Sequence, residues 1–571
     1  MKKNRLLRMA QLALLLGAML LFVGCGSGSD SVAKGQYDDA LAFNQTGYTT
    51  VNVTVDGAAM PVRQYKIVYV AKPVKMSLSQ PVFARDGNVP YTGETTITDP
   101  YQYQTMYVSV PEASVNDQKK AIYLLVNNSG WKPSVCATKI IAGQAFVSTT
   151  DTDNVGAALK AGYIVVEPGT RSRELRGADG LWEGKAPAPI VDAKAVIRYL
   201  RLNDIVMPGS AERIVITGTS GGGAMSVAIA ASGNSPDYYP FLAEIGAAGI
   251  IGNASTIRDD VFATVAYCPI NNLANSDIAY EWQFNAVRND TNTGAINGVA
   301  YSAGPQPAAS LAIHDSFAAY VAGLGLKLDD GTALTTANLP AEIAKQLQAE
   351  VERQIVKDNT VVPAIGENFV ITNRGVTKNI PNDWLTTTGT GTSRTVTNID
   401  FANFAKFQAT NTALKTVVAF DAAGVTGSLV YGGESTLYGA KNTIYSNFSE
   451  WSWNNNQKMG DGSGFDDTRF SWSAYIADPI GKELKDQIKM TGPIPYLNTT
   501  TADAAPYWYV RHGMVDRDTA TAMQLVLYYA VKNDPTVKDL NFKVPWLVPH
   551  SGNYDVKEAF TWIKAKLDAN P

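Results

Sequence analysis

Four stretches of the chain, "AIYLLV" (121–126), "GYIVVEP" (162–168), "ERIVIT" (212–217) and "VFATVAYCP" (261–269), are apolar almost throughout. A strand with no polar side must be covered on both faces, which is the condition of a parallel sheet between helical layers. The stretches between them suit that role, for "IVDAKAVIRYLRLN" (190–203) carries apolar residues at helical spacing. Before them, residues 40 to 110 alternate as "TTVNVTVDG" and "RQYKIVYVAKPV" do, which predicts an N-terminal β extension. The alternation of strand and helix stops near 270 and resumes near 500 with "YWYVRHG", "DTATAMQLVLYYAVKN", "FKVPWLVPH" and "VKEAFTWIKAKLDA". One α/β domain built from 41–270 and 500–571, interrupted by a lid insertion over 271–499, explains this better than separate domains along 571 residues. Amphipathic segments such as "PAASLAIHDSFAAYVAG" and "LPAEIAKQLQAEVERQIV" predict that the insertion is mainly helical.

The first 24 residues differ in kind. "MKKNRLLRMAQ" carries four positive charges, and the 13-residue apolar run "LALLLGAMLLFVG" is short for a bilayer span but suits a secretory signal. It ends in "LFVGC", which resembles the lipobox of bacterial lipoproteins and makes Cys25 the expected lipidated residue, with 25–40 as a flexible tether. The expected location is therefore the cell envelope through that anchor, or secretion without it. Four of the 48 Lys and Arg lie in the signal, which leaves 44 against 52 acidic residues, a net charge of −8. No basic run remains to track phosphates, which argues against nucleic acid as a partner. Beyond Cys25 only Cys136 and Cys268 remain, too few for a disulfide framework, and Cys268 at a strand end reads as a small core residue.

Between "ERIVIT" and the apolar "AMSVAIAASG" lies "GTSGGG" (218–223). Residues 218–222 fit G-x-S-x-G, a weak pattern alone, but here it falls between a strand and a helix, where the turn presents the serine hydroxyl above the sheet. Ser220 is therefore the candidate nucleophile. It needs a base, and the chain has three histidines. His314 lies in a helical part of the insertion, His512 close behind a strand, and His550 after the last strand. The chain order of α/β-hydrolases puts the acid after the insertion and the histidine last, which selects His550. "HGMVDRDT" supplies Asp516 and Asp518 where the acid should stand, and either can orient the imidazole. An oxyanion hole needs preorganised N–H donors. Gly221 follows the nucleophile, and "NNSGW" (127–131) offers Gly130 or Trp131 as the second.

At these residues the chain resembles the bacterial subtype B tannases, α/β-hydrolases that cleave galloyl esters. The similar segments are "VNNSGW", "IVDAKAVIRYLRLND", "GTSGGGAMS", "AYCPINNLANSDIAYEW", "RHGMVDRDTA" and "VPHSGNYD". The resemblance implies Ser220, Asp516 and His550 as the catalytic set and Asp518 turned toward the substrate. It also implies a lysine and a glutamate of the insertion on the acyl ring, for which "LKTVVAFD" and "GGESTLYG" give Lys415 and Glu434. "VEPGTRSREL" departs from the more basic, glycine-rich family segment, so Arg171 and Arg173 receive no role. A galloyl ring offers three adjacent hydroxyls on an apolar face, to which two carboxylates and an ammonium group are matched. The expected partner is a gallate ester or tannin, with neither metal nor cofactor. The alternatives are another phenolic ester such as a feruloyl ester, or a surface lipoprotein that binds aromatic ligands on an inactive hydrolase scaffold.

Overall fold

The computed structural model describes residues 34–571 apart from 84–92, 289–294, 297–298, 301–304, 374, 416, 426–427, 431–432 and 457–462. The signal segment and Cys25 lie outside the described residues. The last part of the expected tether does not behave as a linker. Asp38 is buried and accepts the N–H groups of Gly35 and Gly249 at 2.7 Å each, while the Gln36 N–H donates to the Ile250 carbonyl, so the chain is docked from Gly35 onward.

Ten strands form the central sheet: β1 (Tyr48–Val55), β2 (Ala58–Val68), β3 (Thr105–Pro111), β4 (Ala121–Val126), β5 (Ala145–Phe146), β6 (Ile164–Pro168), β7 (Ser210–Thr219), β8 (Ala263–Tyr267), β9 (Tyr507–Arg511) and β10 (Asp539–Lys543). Their spatial order is β10-β9-β8-β7-β4-β6-β3-β2-β1-β5. From β10 to β6 all neighbours run parallel, and β3, β2 and β1 continue the sheet antiparallel. The N-terminal β extension thus belongs to the main sheet.

The apolar strands are buried on both sides as their composition requires. Ile122, Leu124, Val126, Ile214 and Ile216 face helices α1 (Ala188–Leu202) and α2 (Gly221–Ala231). Their alternates Tyr123, Leu125 and Val215 join Val155, Trp562 and Ile563 on the other face, the last two from the C-terminal helix. β7, β8 and β9 end level with one another, since Thr219 pairs with Tyr267 and Tyr267 with Arg511. Loops leaving these ends converge above one edge of the sheet, where α/β folds present their ligands.

The insertion between β8 and β9 is less helical than the sequence predicts. Helices α3 (Leu273–Phe284) and α4 (Leu339–Asp358) are there, but so are two-stranded antiparallel pairs such as Asn368–Asn373 with Val376–Pro381. In the former strand Phe369 and Ile371 turn inward and Val370 outward, an alternation too short to stand out in the sequence. "PAASLAIHDSFAAYVAG" is two helices, Pro305–His314 and Ser316–Gly323. Residues Gly35–Pro571 form one compact unit, in which the insertion is tied to the loop after β9 by bonds such as Gln408 Nε2 to the Met514 carbonyl. Among the described residues no helix is long and apolar enough to cross a membrane.

Candidate active site

Ser220 follows β7 directly and adopts φ 61° and ψ −121°, a conformation that L residues rarely hold without surrounding support. That support comes from three backbone bonds: its N–H donates to the Tyr267 carbonyl at 2.9 Å, and its carbonyl accepts from Ala224 at 2.9 Å and Ile270 at 3.2 Å. The glycines after it are required by close backbone contact. A Cβ on Gly221 would lie 2.2 Å from the Trp131 nitrogen, and one on Gly222 would lie 2.3 Å from the Val126 carbonyl oxygen. An alanine at 221 has no room here, because its Cβ would also stand 2.4 Å from the Asn128 carbonyl oxygen. The turn is therefore wedged against the loop after β4.

His550 lies in the loop between β10 and the C-terminal helix α5 (Val556–Asp568), and Asp516 in the loop after β9. His550 Nε2 is 2.9 Å from Ser220 Oγ, and its Nδ1 is 2.8 Å from Asp516 Oδ2. Asp516 is fully buried, and its other oxygen accepts the Asp518 N–H at 2.8 Å. Burial opposes the charge on Asp516, but the His550 imidazole beside it holds its carboxyl below the usual range. Burial likewise opposes charge on His550, and the Asp516 carboxylate more than reverses this, lifting the imidazole above its ordinary 6.5. An ionised carboxylate behind Nδ1 fixes the tautomer in which Nε2 can take a proton from the serine.

Two other groups sit against this relay. His512 is buried with Nδ1 3.5 Å from Asp516 Oδ2, and burial lowers its pKa, so it stands as a neutral ring behind the carboxylate. Cys268 is buried as a core residue would be, but its thiol also lies 3.8 Å from His550 Nε2 and donates to the Ser551 carbonyl at 3.2 Å. Burial raises its pKa from 9.0, which keeps it protonated at neutral pH. Cys136 and Cys268 are both free. His314, in contrast, lies 2.9 Å from its neighbour Asp315 on the insertion surface and takes no part.

Gly221 opens α2, so its N–H has no intrahelical acceptor. Of the two amides expected to assist it, Trp131 N–H already donates to the Asn128 carbonyl at 3.0 Å, whereas Gly130 N–H donates to no described residue. Gly130 adopts φ 59° and ψ 32°, and its nitrogen would be 3.0 Å from a Cβ at 221. Among the described residues neither the Gly221 nor the Gly130 N–H has a partner, and the Gly130 nitrogen lies close to the Gly221 backbone next to Ser220. Trp131 serves instead as a fully buried anchor, its indole donating to the Ile270 carbonyl at 3.0 Å.

Asp518 does not cap the helix that follows, Thr521–Asn533, whose N-cap is Ala520. Its Oδ2 lies 3.8 Å from His550 Nε2 and its Oδ1 accepts from Arg517 at 2.6 Å, so a carboxylate borders the space next to the serine. Glu434 is buried in the 3-10 turn Gly433–Leu437, and its carboxylate accepts no hydrogen bond among the described residues. Lys415 is held by its backbone, which donates to the Tyr280 hydroxyl at 3.0 Å and accepts from Arg288 at 3.1 Å. Its ammonium lies 3.9 Å from the centre of the Phe420 ring, and no contact joins it to Ser220 or Glu434 among the described residues. The carboxylates of Asp277 and Asp421 organise this arm: Asp277 accepts the N–H groups of Ala419, Phe420 and Asp421, and Asp421 those of Phe448 and Ser449. Neither aspartate is suggested by sequence pattern, because the bonds they accept come from segments far away in the chain.

Sheet order, serine turn and loop chemistry define a carboxylic ester hydrolase of the α/β-hydrolase fold. The BD-FAE family model matches residues 121–287, which carry β4 to α3 and the serine turn. No curated protein sequence matches the chain. It is similar in structure to solved tannin acyl hydrolases. The native enzyme from Lactobacillus plantarum is 28% identical with a TM-score of 0.68, and the match covers 93% of this chain and 100% of that one. The tannase from Fusobacterium nucleatum is 27% identical with a TM-score of 0.67 over 92% and 99% of the two chains. A tannin acyl hydrolase in complex with ethyl gallate is 28% identical with a TM-score of 0.68 over 93% and 99%.

With His550 as general base the reaction needs its neutral form, so a raised imidazole pKa should move the acid limb of the kcat/KM profile upward, above 6.5. Asp516→Asn should bring that limb down toward 6.5 and reduce kcat by about 10⁴-fold through the wrong tautomer; an unchanged limb in a folded variant contradicts the assignment. Gly221→Ala must push the 128–131 loop away, and kcat should fall about 10²- to 10³-fold, the scale of a lost oxyanion donor. Wild-type kcat in this variant would mean that the close approach at 221 is not needed.

Proposed function

We propose that the protein hydrolyses galloyl esters through an acyl-enzyme on Ser220. The observation that carries this reading is the continuous relay from Asp516 through His550 to Ser220, with Asp518 beside it at 3.8 Å from the same Nε2. Ser220 Oγ gives its proton to His550 Nε2 as it attacks the ester carbonyl. The tetrahedral oxyanion accepts hydrogen bonds from the N–H groups of Gly221 and Gly130, neither of which has another acceptor among the described residues. Nε2 then returns the proton to the leaving alcohol. Water follows the same path in reverse, with His550 taking its proton, and frees the acid and Ser220.

The acyl group is the second half of the proposal. A ring held through its hydroxyls needs acceptors that are not already satisfied. Glu434 is such an acceptor, and Asp518 uses one oxygen on Arg517 and has the other toward the site. Unpaired acceptors of this sort discriminate strongly against rings that lack the hydroxyls. The similar hydrolase solved with ethyl gallate supports the same substrate class here. Lys415, whose ammonium lies over the Phe420 ring, contributes if that ammonium turns to a ring hydroxyl.

Ser220→Ala should abolish hydrolysis of methyl gallate while leaving the fold intact. In the wild type, kcat/KM should fall from methyl gallate to methyl protocatechuate and further to methyl ferulate. Asp518→Asn should reduce kcat/KM on methyl gallate by ten-fold or more and leave methyl benzoate within a factor of about three, since loss of one hydrogen bond to a charged group is about 1.5–3 kcal/mol. A preference for ferulate, or equal loss on all esters, defeats the galloyl reading.

A further inference from the structure

The segment "TRSREL" has no role by family resemblance, yet it holds the loop that carries Gly130. Arg171 anchors it, since its backbone N–H and its guanidinium both bind Asp192 on α1, at 2.8 Å in each case. Ser172 Oγ then donates to the carbonyl of Trp131, and Arg173 Nε donates to the carbonyl of Gly130 at 2.8 Å. Two consecutive side chains thus hold two consecutive carbonyls of the loop beside Ser220. The other end of the Arg173 guanidinium reaches the insertion: Nη1 donates to the Gly433 carbonyl and lies 3.3 Å from Thr436 Oγ1. Gly433 immediately precedes Glu434. Its backbone presses on the guanidinium so closely that a Cβ there would stand 2.9 Å from Nη2.

The surroundings fix this arrangement. The Arg173 side chain is 6% exposed and its charge is met by Glu174 Oε1 at 2.7 Å, while Glu174 Oε2 lies 3.1 Å from Lys132 on the same loop. Glu174 is held at φ 71°, a conformation retained only where the surroundings impose it. Lys185, fully buried, clamps the far side of the Glu434 turn by donating to the carbonyls of Thr436, Tyr438 and Ile444 at 2.7–2.9 Å. A guanidinium can serve two carbonyls on opposite edges at fixed separation, which an ammonium on a flexible stem cannot.

We propose that Arg173 is a positioning residue that sets the distance between the Gly130 oxyanion donor and the Glu434 turn, so that the ester carbonyl and the acyl ring are held together. The inference rests on the galloyl reading for what Glu434 touches, and on the fold alone for the strap. It assigns Arg173 no contact with the reacting atoms. What it supplies is alignment: with the ring bound, the carbonyl oxygen falls at the two N–H groups, a gain confined to substrates that fill both ends of the site.

The test uses Arg173→Lys, which keeps the buried charge opposite Glu174, and Arg173→Gln, on methyl gallate, methyl benzoate and p-nitrophenyl acetate. The expected result is a fall in kcat on methyl gallate of 10²-fold or more, with a fall of ten-fold or less on p-nitrophenyl acetate, so that the ratio of the two collapses. The acid limb of the pH profile should stay in place, because Asp516 and His550 are untouched. Added guanidinium ion should restore part of the methyl gallate rate in Arg173→Gln and none of it in Arg173→Lys. Equal losses on all three esters, or wild-type ratios in either folded variant, overturn the strap. If Arg173→Gln does not fold, the ratio in Arg173→Lys decides alone. A wild-type enzyme that ignores methyl gallate but cleaves another aromatic ester defeats the galloyl reading instead, and the strap is then read from the ratio of that ester to p-nitrophenyl acetate.

Discussion

The contact of the Gly221 backbone with the loop 128–131 fixes the turn that carries Ser220 against the loop that carries Gly130. With no Cβ at 221, the turn bearing Ser220 comes within a peptide's thickness of Gly130 and Trp131, and the Gly221 and Gly130 N–H groups have no partner among the described residues. The twist of β7 into α2 then aims Oγ at the loop from β10, where His550 is already oriented by Asp516. The positive φ of Ser220 persists because Tyr267, Ala224 and Ile270 over-determine it. Local strain, apolar strands and neighbouring loop ends are consequences of one another here.

The site draws on parts of the chain that are far apart, and charged side chains do most of the joining. Arg171 and Asp192 fix one segment to α1, Arg173 and Lys185 fix the Glu434 turn to that segment, and Asp277 and Asp421 fix the Lys415 arm to α3 and to residues 447–449. Each of these groups is buried and satisfied by backbone partners. A buried charge without partners would be costly, so such groups hold their neighbours to one arrangement. The Glu434 turn and the Lys415 arm are thereby placed by polar bonds, and the serine by hydrophobic packing and backbone contact.

How much of this the sequence carries depends on the range of the signal. Continuous apolar runs made the parallel strands readable, and strand, serine, glycine and helix in immediate succession made Ser220 readable. His550 followed from chain order and the scarcity of histidine. Asp516 and Asp518, two residues apart, cannot be separated by pattern; a turn buries the former on Nδ1 and leaves the latter at Nε2. Gly130 and Trp131 are likewise equivalent on paper until the bond from Trp131 to Asn128 uses one of them. Arg173 carries no periodic or motif signal at all, since its meaning depends on a carbonyl 260 residues away. The hairpins of the insertion were hidden by their shortness, and Cys268 by a strand end that any small residue could occupy.

The central claim is that Ser220 is a nucleophile activated by His550, and a fluorophosphonate adduct followed by peptide mass mapping tests it most directly. One adduct is expected, on Ser220, formed in the wild type and reduced by several orders of magnitude in His550→Ala. A folded wild-type protein that takes no label, or takes it on a different serine, would contradict it.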